Sequence, residues 1–135
     1  MRSRRRTFLT AATAAMWGCR KDARQSQPAP QVGWRPIGAW SGRGDSQTDS
    51  FNIESGGWRI KWETKNETSP EAGEFRLTVQ SAVSGRLIKE AVDHRGAGRD
   101  IAYLNDDPRL YDLVIQSHDL DWSVTVEEAV VYYSR

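Results

Sequence analysis

The stretch Trp58-Arg-Ile-Lys-Trp62 decides the fold, because apolar and charged residues alternate strictly along it. Trp58, Ile60 and Trp62 occupy every second position, so an extended chain places all three on one side. Alternation with a period of two is typical of a β-strand that has one buried face and one solvated face. No long window of the sequence carries the apolar spacing of a helix. The stretch therefore predicts a core strand in an all-β protein.

Similar short segments recur along the chain, and they are rich in valine, isoleucine and aromatic residues. They cover residues 51–53, 75–79, 87–92, 101–104, 111–115 and 122–126. Glycine, serine, asparagine and aspartate separate them at roughly the 8–12-residue spacing of antiparallel sandwiches and barrels. Segment 87–92 is the most ambiguous, because its apolar pairs would also suit a helical turn, and we interpret it as a strand. Segment 129–133 is predicted to pair at an edge or beside the N-terminal strand near Trp40.

These segments predict two antiparallel sheets packed face to face, a jelly-roll-like β-sandwich of about eight strands. The sandwich is expected to span residues 34–135, and the loop 66–73 is expected to be exposed. The predicted core consists of the apolar residues in register on the inner faces: Trp40, Phe51, Trp58, Ile60, Trp62, Phe75, Leu77, Val79, Tyr111, Leu113, Ile115, Trp122, Val124 and Val126.

Residues 1–18 have the layout of an export signal. Arginines precede a mildly apolar run over residues 8–18, which falls within the roughly 7–15 residues of a signal core. The run is well short of the roughly 20 residues that a spanning helix needs. The arginine-rich part resembles a twin-arginine motif, and this resemblance implies export of a folded protein. The residues that carry it are Arg5, Arg6, Phe8 and Leu9.

Residues 16–19 resemble a bacterial lipobox, since the small Gly18 precedes Cys19. The resemblance implies that the thiol of Cys19 carries acyl groups such as palmitate and anchors the mature chain to a membrane. It departs from the usual pattern at Met16 and Trp17, where lipoboxes have leucine and a small residue. Cys19 is the one cysteine of the chain and has no partner for an internal disulfide, which lipidation would explain. The alternative is a plain signal cut nearby.

The charge of the full chain hides the charge of the predicted domain. The whole sequence has formal charge +1, but four arginines precede Cys19, which leaves 15 basic against 18 acidic residues. A nucleic-acid partner is not expected, because no basic stripe is visible. Residues 19–33 are polar and rich in glutamine, serine and proline, without periodicity. They predict a flexible tether between the lipidated cysteine and the sandwich.

The strand motifs resemble a group of small bacterial exported β-sandwich domains, often lipoproteins, that have no assigned function. The resemblance covers roughly residues 40–127 and implies the fold and an extracytoplasmic location. Its motifs are structural, so they specify a fold and not an activity. The resemblance departs from the usual pattern at residues 108–110, where such domains often have glycine. The motifs that carry it are Trp40-Ser-Gly-Arg-Gly, Phe51-Asn-Ile, Trp58-Arg-Ile-Lys-Trp62, Phe75-Arg-Leu-Thr-Val79 and Asp121-Trp122-Ser-Val-Thr-Val126.

Candidate site residues are few. Trp34, outside clear alternation, is the first candidate for an exposed ring that binds a ligand, and Trp40 is the second. Asn105, Asp106 and Asp107 offer oxygen ligands, but their spacing matches no calcium loop and suits a turn equally well. No cofactor is predicted. His94 and His118 lack a metal-binding spacing, and we predict no catalytic set.

Together these features predict a membrane-anchored domain in the bacterial cell envelope that binds a protein or a glycan. The alternative is an accessory lipoprotein that binds no small ligand and assembles through a sheet edge. A small hydrolase is the third and weakest hypothesis. It would require His94 or His118 to lie in a pocket with a carboxylate.

Overall fold

The computed structural model describes residues 29–133, which contain nine β-strands and their connections. Residues Val32–Tyr132 cluster as one unit. The predicted export signal, Cys19 and residues 20–28 of the predicted tether lie outside the described residues. The described part contains no helix that is long and apolar enough to span a membrane. The strands are β1 (Pro30–Arg43), β2 (Ser46–Gln47), β3 (Phe51–Ile53), β4 (Gly57–Lys65), β5 (Glu74–Ser81), β6 (Leu87–Arg95), β7 (Gly98–Asn105), β8 (Arg109–His118) and β9 (Asp121–Tyr133).

The strands form two antiparallel sheets. Sheet A has the order β1-β9-β4-β7, and sheet B has the order β2-β8-β5-β6, with β3 also paired to β8. If β2 and β3 are counted as one interrupted strand, the orders become 1-8-3-6 and 2-7-4-5. These are the orders of an eight-stranded jelly roll with two Greek keys. The predicted all-β sandwich is therefore confirmed.

Thr48 explains the interruption between β2 and β3. Its backbone N–H donates to the carbonyl of Leu113 at 3.0 Å, and its hydroxyl accepts from the N–H of Leu113 at 3.0 Å. The side chain thus takes the place of one backbone acceptor in the ladder. The buried hydroxyl is satisfied, so β2 and β3 can follow β8 as a single edge.

The core lies between the inner faces of the two sheets. All but one of the predicted core residues are buried, and Trp40 is half-buried against the ring of Phe51. The alternation rule succeeds because each strand contributes every second side chain to one core. Four further buried apolar residues were not among the predicted core residues, and they lie at strand ends or outside regular alternation: Ile53, Val92, Leu104 and Leu120.

Three local predictions can be compared with the strands. The ambiguous segment 87–92 lies in a strand, β6. Segment 129–133 continues β9 without a break and lies beside β1, the second of its two predicted positions. β1 begins at Pro30, so the sheet includes residues 30–33, which the sequence analysis assigned to the tether.

The two ends of the sandwich are named by the start of β1. The proximal end holds the start of β1, the end of β9 and the connections 54–56, 82–86 and 106–108. The distal end holds the connections 44–45, 66–73, 96–97 and 119–120. Registers fix this assignment, because Trp58 at the start of β4 pairs with Leu104 and Glu128 near the ends of their strands.

Candidate functional site

Trp34 lies on the outer face of sheet A. The guanidinium carbon of Arg59 is 4.1 Å from the centre of the Trp34 ring, and Arg59 points outward because Trp58 and Ile60 fill the core. The ring of Tyr103 is 6.1 Å from that of Trp34, tilted by 60°. Trp34 is half-buried by these neighbours, so it is less exposed than its place in the sequence implies.

A shift in the alternation of β1 puts Trp34 and Trp40 on opposite faces. Ile37 packs against the core, which places odd-numbered residues inward, yet Trp40 also faces inward and contacts Phe51. The side that faces the core therefore changes between residues 37 and 40. The two tryptophans predicted to bind a ligand do not share one surface, and only Trp34 lies on the outer face.

The outer face around Trp34 combines aromatic, aliphatic and cationic groups. Tyr103 is 53% exposed and Ile101 is 37% exposed, and both lie on β7. In the ladder, Arg59 is opposite Tyr103 and Lys61 is opposite Ile101. We call Trp34, Arg59, Lys61, Ile101 and Tyr103 the Trp34 surface. It borders an open depression of about 510 Å³, to which Arg59, Lys61 and Ile101 contribute.

Glu127 fixes the cations of this surface. Its carboxylate accepts from Nε of Arg59 at 2.7 Å and lies 3.5 Å from Nζ of Lys61. Burial alone would raise the pKa of Glu127, but the bonds to Arg59 and Lys61 outweigh it and lower the pKa. Glu127 is therefore ionised at neutral pH. It holds the guanidinium of Arg59 in place over the Trp34 ring.

Glu128, the next residue of β9, faces the opposite way and is buried at the proximal end. Its Oε1 accepts the backbone N–H groups of Glu54 at 2.9 Å and Ser55 at 3.2 Å, and its Oε2 pairs with Arg35. Burial raises the pKa of Glu128, but hydrogen bonds from Arg35 and the two N–H groups outweigh it and lower the pKa. The carboxylate therefore ties β1 to the β3–β4 connection.

Asn105, Asp106 and Asp107 lie at the end of β7 and in the turn that follows. The hydroxyl of Tyr111 donates its one hydrogen to the carbonyl of Asp107 at 2.6 Å, and the carboxylate of Asp106 lies 3.2 Å from the same oxygen. The backbone hydrogen bond from Asp107 is the main cause that lowers the pKa of Asp106. Arg109 lies within ion-pair distance of both aspartates. These contacts give the turn a local structural role.

The same turn carries the weak metal prediction. Within residues 29–133, no group of three or more histidine, cysteine, aspartate or glutamate side chains converges as metal ligands would. The side chains of this turn instead contact Arg109 and Tyr111, as described above.

His94 and His118 contribute to one depression of about 540 Å³ on sheet B, together with Asp45, Glu74 and Asp93. The two imidazoles nevertheless belong to opposite faces of the sheet. His94 pairs with the buried Phe75 and packs 5.0 Å from the ring of Trp62, whereas His118 pairs with the exposed Glu74. Ser117 pairs with Phe75, so its side chain belongs to the face of His94 and not to that of His118.

Arg43 organises the distal end. Its guanidinium donates to Asp121 and to Asp119, each at 3.0 Å. Asp119 also accepts the N–H and the hydroxyl of Thr68 at 2.9 and 2.8 Å, and these bonds lower its pKa, with Arg43 adding to the effect. Asn66 donates to Asp121 at 2.7 Å. The loop 66–73 is thus mostly exposed, as predicted, but tied to β1 and β9.

Four residues at or near the candidate site were not predicted from the sequence: Arg59, Tyr103, Glu127 and Glu128. Each lies on or beside a predicted strand, but nothing in the sequence says which strands are neighbours. The opposition of Arg59 to both Tyr103 and Glu127 arises from the ladder registers of β4. An acidic residue in an apolar strand, as Glu128 is, was the one local signal of a buried ion pair.

No family model matches the chain, and no curated protein sequence matches it. A solved structure titled "Structure of infectious bursal disease virus Gt strain" is similar to it at 12% identity, with a TM-score of 0.37. The alignment covers 82% of this chain and 37% of the viral chain, so the present chain spans well under half of that length.

Proposed function

We propose that this chain is a membrane-anchored lipoprotein of the bacterial cell envelope whose sandwich binds a glycan through the Trp34 surface. The sequence of residues 1–19 supports export and attachment of lipid at Cys19. The observation that carries the binding role is the Trp34–Arg59 stack at 4.1 Å beside the exposed ring of Tyr103. An envelope protein is the alternative partner.

The chemistry of the Trp34 surface suits a sugar chain. An aromatic ring covers the apolar face of a sugar and removes that face from water, while hydroxyls stay free to bond polar neighbours. Tyr103 and Ile101 offer the apolar contact, and Arg59 and Lys61 offer donors. Glu127 holds both cations in position, which reduces the ordering that binding would require.

Assembly through a sheet edge receives less support from the strands. The outer strands of sheet A are β1, which contains Pro36, and β7, which carries the charged residues Arg99 and Asp100 along its exposed part. The outer strands of sheet B are the short β2 and β3, and β6, which pairs with β5 through two register shifts. Charges and bulges at an edge disfavour pairing with a further strand.

Binding is tested with the mature chain and isolated peptidoglycan sacculi, neutral polysaccharides and acidic polysaccharides in cosedimentation. We expect one of these glycans to bind, and Trp34→Ala and Tyr103→Ala to weaken that binding about tenfold each. Gln116→Ala, an exposed position on the other sheet, is the control and should bind as the unchanged chain does. Binding of no glycan, or binding that both substitutions leave intact, would contradict the glycan role.

Anchoring is tested separately by mass spectrometry of the mature N-terminus, with and without globomycin. We expect an acylated N-terminus at Cys19 and accumulation of the uncut chain when globomycin is present. An unmodified N-terminus at another residue would exclude the lipid anchor. The glycan experiment would then still test the Trp34 surface, because it does not depend on the lipid anchor.

A further inference from the structure

Exposed large apolar side chains concentrate at one end of the sandwich. Within Val32–Tyr132, Ile101 and Tyr103 belong to the Trp34 surface, and the others all lie at the proximal end. The distal end of the described part carries none. The proximal set, which we call the proximal rim, is Val32, Val83, Leu87, Leu110, Val131 and Tyr132.

The rim comes from both sheets. Val83, at 81% exposed, is in the β5–β6 turn, and Leu87, at 61%, begins β6. Leu110 is near the start of β8, opposite Asn52. Val131 and Tyr132 belong to the part of β9 that continues past the start of β4, because Glu128 already pairs with Trp58. The apolar groups at this end thus come from a turn, from the starts of two strands and from the part of β9 that continues past β4.

Apart from the Trp34 surface, the proximal rim is the place where exposed large apolar side chains cluster on the described part of the sandwich. Single exposed apolar residues need no explanation, but several at one end indicate a contact surface. The outer face of sheet B illustrates the difference, because it is covered by charged rows such as Arg76 with Glu90 and Arg95 with Glu74. The rim therefore marks the end that meets an apolar or amphipathic partner.

The length of chain before the sandwich says which partner is nearest. Cys19 lies eleven positions before Pro30, where β1 begins at the proximal end. Eleven residues span at most about 40 Å even when fully extended. The nine residues of β4 separate the two ends by roughly 30 Å. The distal end could meet the bilayer only if these eleven residues stretched to at least about 30 Å, whereas a flexible chain of that length typically spans roughly 18 Å. A lipid on Cys19 thus favours the proximal end as the one that lies next to the bilayer.

We propose that the proximal rim rests on the bilayer in which Cys19 is anchored, with its apolar side chains among the lipid headgroups. The proposal rests on the lipid anchor proposed above. Tyrosine suits this depth, because its ring is apolar and its hydroxyl is polar. Arg20, Lys21 and Arg24 precede the rim in the sequence and attract anionic headgroups. A lipid tail and a rim together give the two signals that stable attachment needs.

This placement gives the sandwich a defined orientation. The strands of sheet A would stand away from the bilayer, and the Trp34 surface would face sideways, parallel to the membrane plane. The distal end, with Arg43 and its partners, would point into the envelope.

The experiment uses the mature, acylated chain in vesicles of phosphatidylcholine and phosphatidylglycerol. Acylation consumes the thiol of Cys19, the one cysteine in the sequence, so an introduced cysteine is the single free thiol. Val83→Cys reports on the rim, and Ala97→Cys, in the exposed distal hairpin, is the matched control. Each is labelled with the fluorophore NBD, and lipids with a nitroxide on the acyl chain serve as quenchers.

We expect a blue-shifted emission at position 83 and quenching several-fold stronger there than at position 97. Adding Leu110→Asp and Val131→Asp should reverse the shift at position 83. Equal, weak quenching at both positions of an acylated chain would overturn the placement and leave the anchor standing. A blue shift at position 83 that occurs without vesicles and grows with protein concentration would indicate that a second copy covers the rim. This result would also overturn the placement on the bilayer. A mature chain without acyl groups would overturn both proposals.

Discussion

The two ends of the sandwich are built from the same strands, but apolar residues near the distal end are buried and several at the proximal end are exposed. At the distal end Leu120 is fully buried, and the surface is a network of polar bonds around Arg43. At the proximal end Leu110 is 41% exposed, and the buried group is a carboxylate, that of Glu128. The distal end therefore resembles an ordinary polar protein surface, whereas the proximal end resembles a surface that another molecule covers.

The difference shows that strand alternation governs the faces of a sandwich but not its ends. Within a strand, period two separates core from solvent. At the ends, the connections between strands determine which groups come into contact. Hydrogen bonds from side chains and from the connections there take the place of the hydrogen bonds between paired strands. Stability and exposure at each end therefore depend on a few contacts, which can be removed one at a time.

The largest effect is expected from Glu128→Ala at the proximal end. The substitution removes the acceptor of two backbone N–H groups and leaves Arg35 without its partner. Arg35 is itself half-exposed, so most of the cost comes from the two backbone N–H groups that lose their acceptor. Each unsatisfied group lowers the free energy of unfolding by about 1–3 kcal/mol. Urea denaturation followed by tryptophan fluorescence measures the change.

Glu127→Ala is the matched control, since Glu127 is the neighbouring residue, has the same side chain and pairs on the outer face. We expect a smaller loss, about 1–2 kcal/mol, because Glu127 bonds only to the side chains of Arg59 and Lys61 and its removal leaves no backbone N–H group without an acceptor. Similar losses for the two substitutions would contradict the structural role assigned to Glu128.

A pair of leucines compares the ends directly. Leu120→Ala opens a cavity at the distal end and should lower the free energy of unfolding by about 2–5 kcal/mol. Leu110→Ala at the proximal end removes an exposed side chain and should change it by less than about 0.5 kcal/mol. Both are measured by the same denaturation. A large loss for Leu110→Ala would mean that the proximal rim is part of the core.

A smaller effect than that of Leu120→Ala concerns the distal network and is pH-dependent. The pKa of Asp119 is lowered in the folded state by the N–H and hydroxyl of Thr68 and then by Arg43. Its ionised form therefore adds stability above its unfolded pKa of about 3.9, and this is lost as the pH falls through the lower folded pKa. We expect Asp119→Asn to lower Tm by a few degrees at pH 7 and by a smaller amount at pH 3.

Thermal unfolding followed by circular dichroism across this pH range measures the effect. Glu74→Gln at the same end is the control, because Glu74 pairs only with the exposed Arg95 at 3.4 Å. A difference in Tm between Asp119→Asn and the unchanged chain that persists undiminished to pH 3 would refute the assigned role of the carboxylate.

Much of the fold follows from the sequence because alternation is a local property. Segments such as 75–79 and 122–126 lie within strands and supply buried side chains, as their pattern predicts. The boundary of β1 was harder to predict, because its alternation shifts between Ile37 and Trp40 and its first residues resemble a polar tether. Thr48 was also not predicted to matter, because its bonds to Leu113 are made across the sheet.

The candidate site was predicted only in part, for a physical reason. Trp34 stood out as a ring outside the core pattern, and it does lie on the outer face. Its neighbours Arg59 and Tyr103 are 25 and 69 positions away in the chain, and only the pairing of β4 with its neighbours brings them together. Trp40 fitted both a core and a ligand role in the sequence, and its packing on Phe51 decides for the core.

The place of β9 between β1 and β4 has a consequence for synthesis. β9 follows every other strand of the sandwich in the sequence, so the four-stranded sheet A cannot form before β9 has been synthesised. Pairing between such distant segments is also slow, because a long loop must close first. Sheet A therefore stays incomplete until β9 has emerged, and until then a chaperone or translocase meets the chain without its complete sandwich.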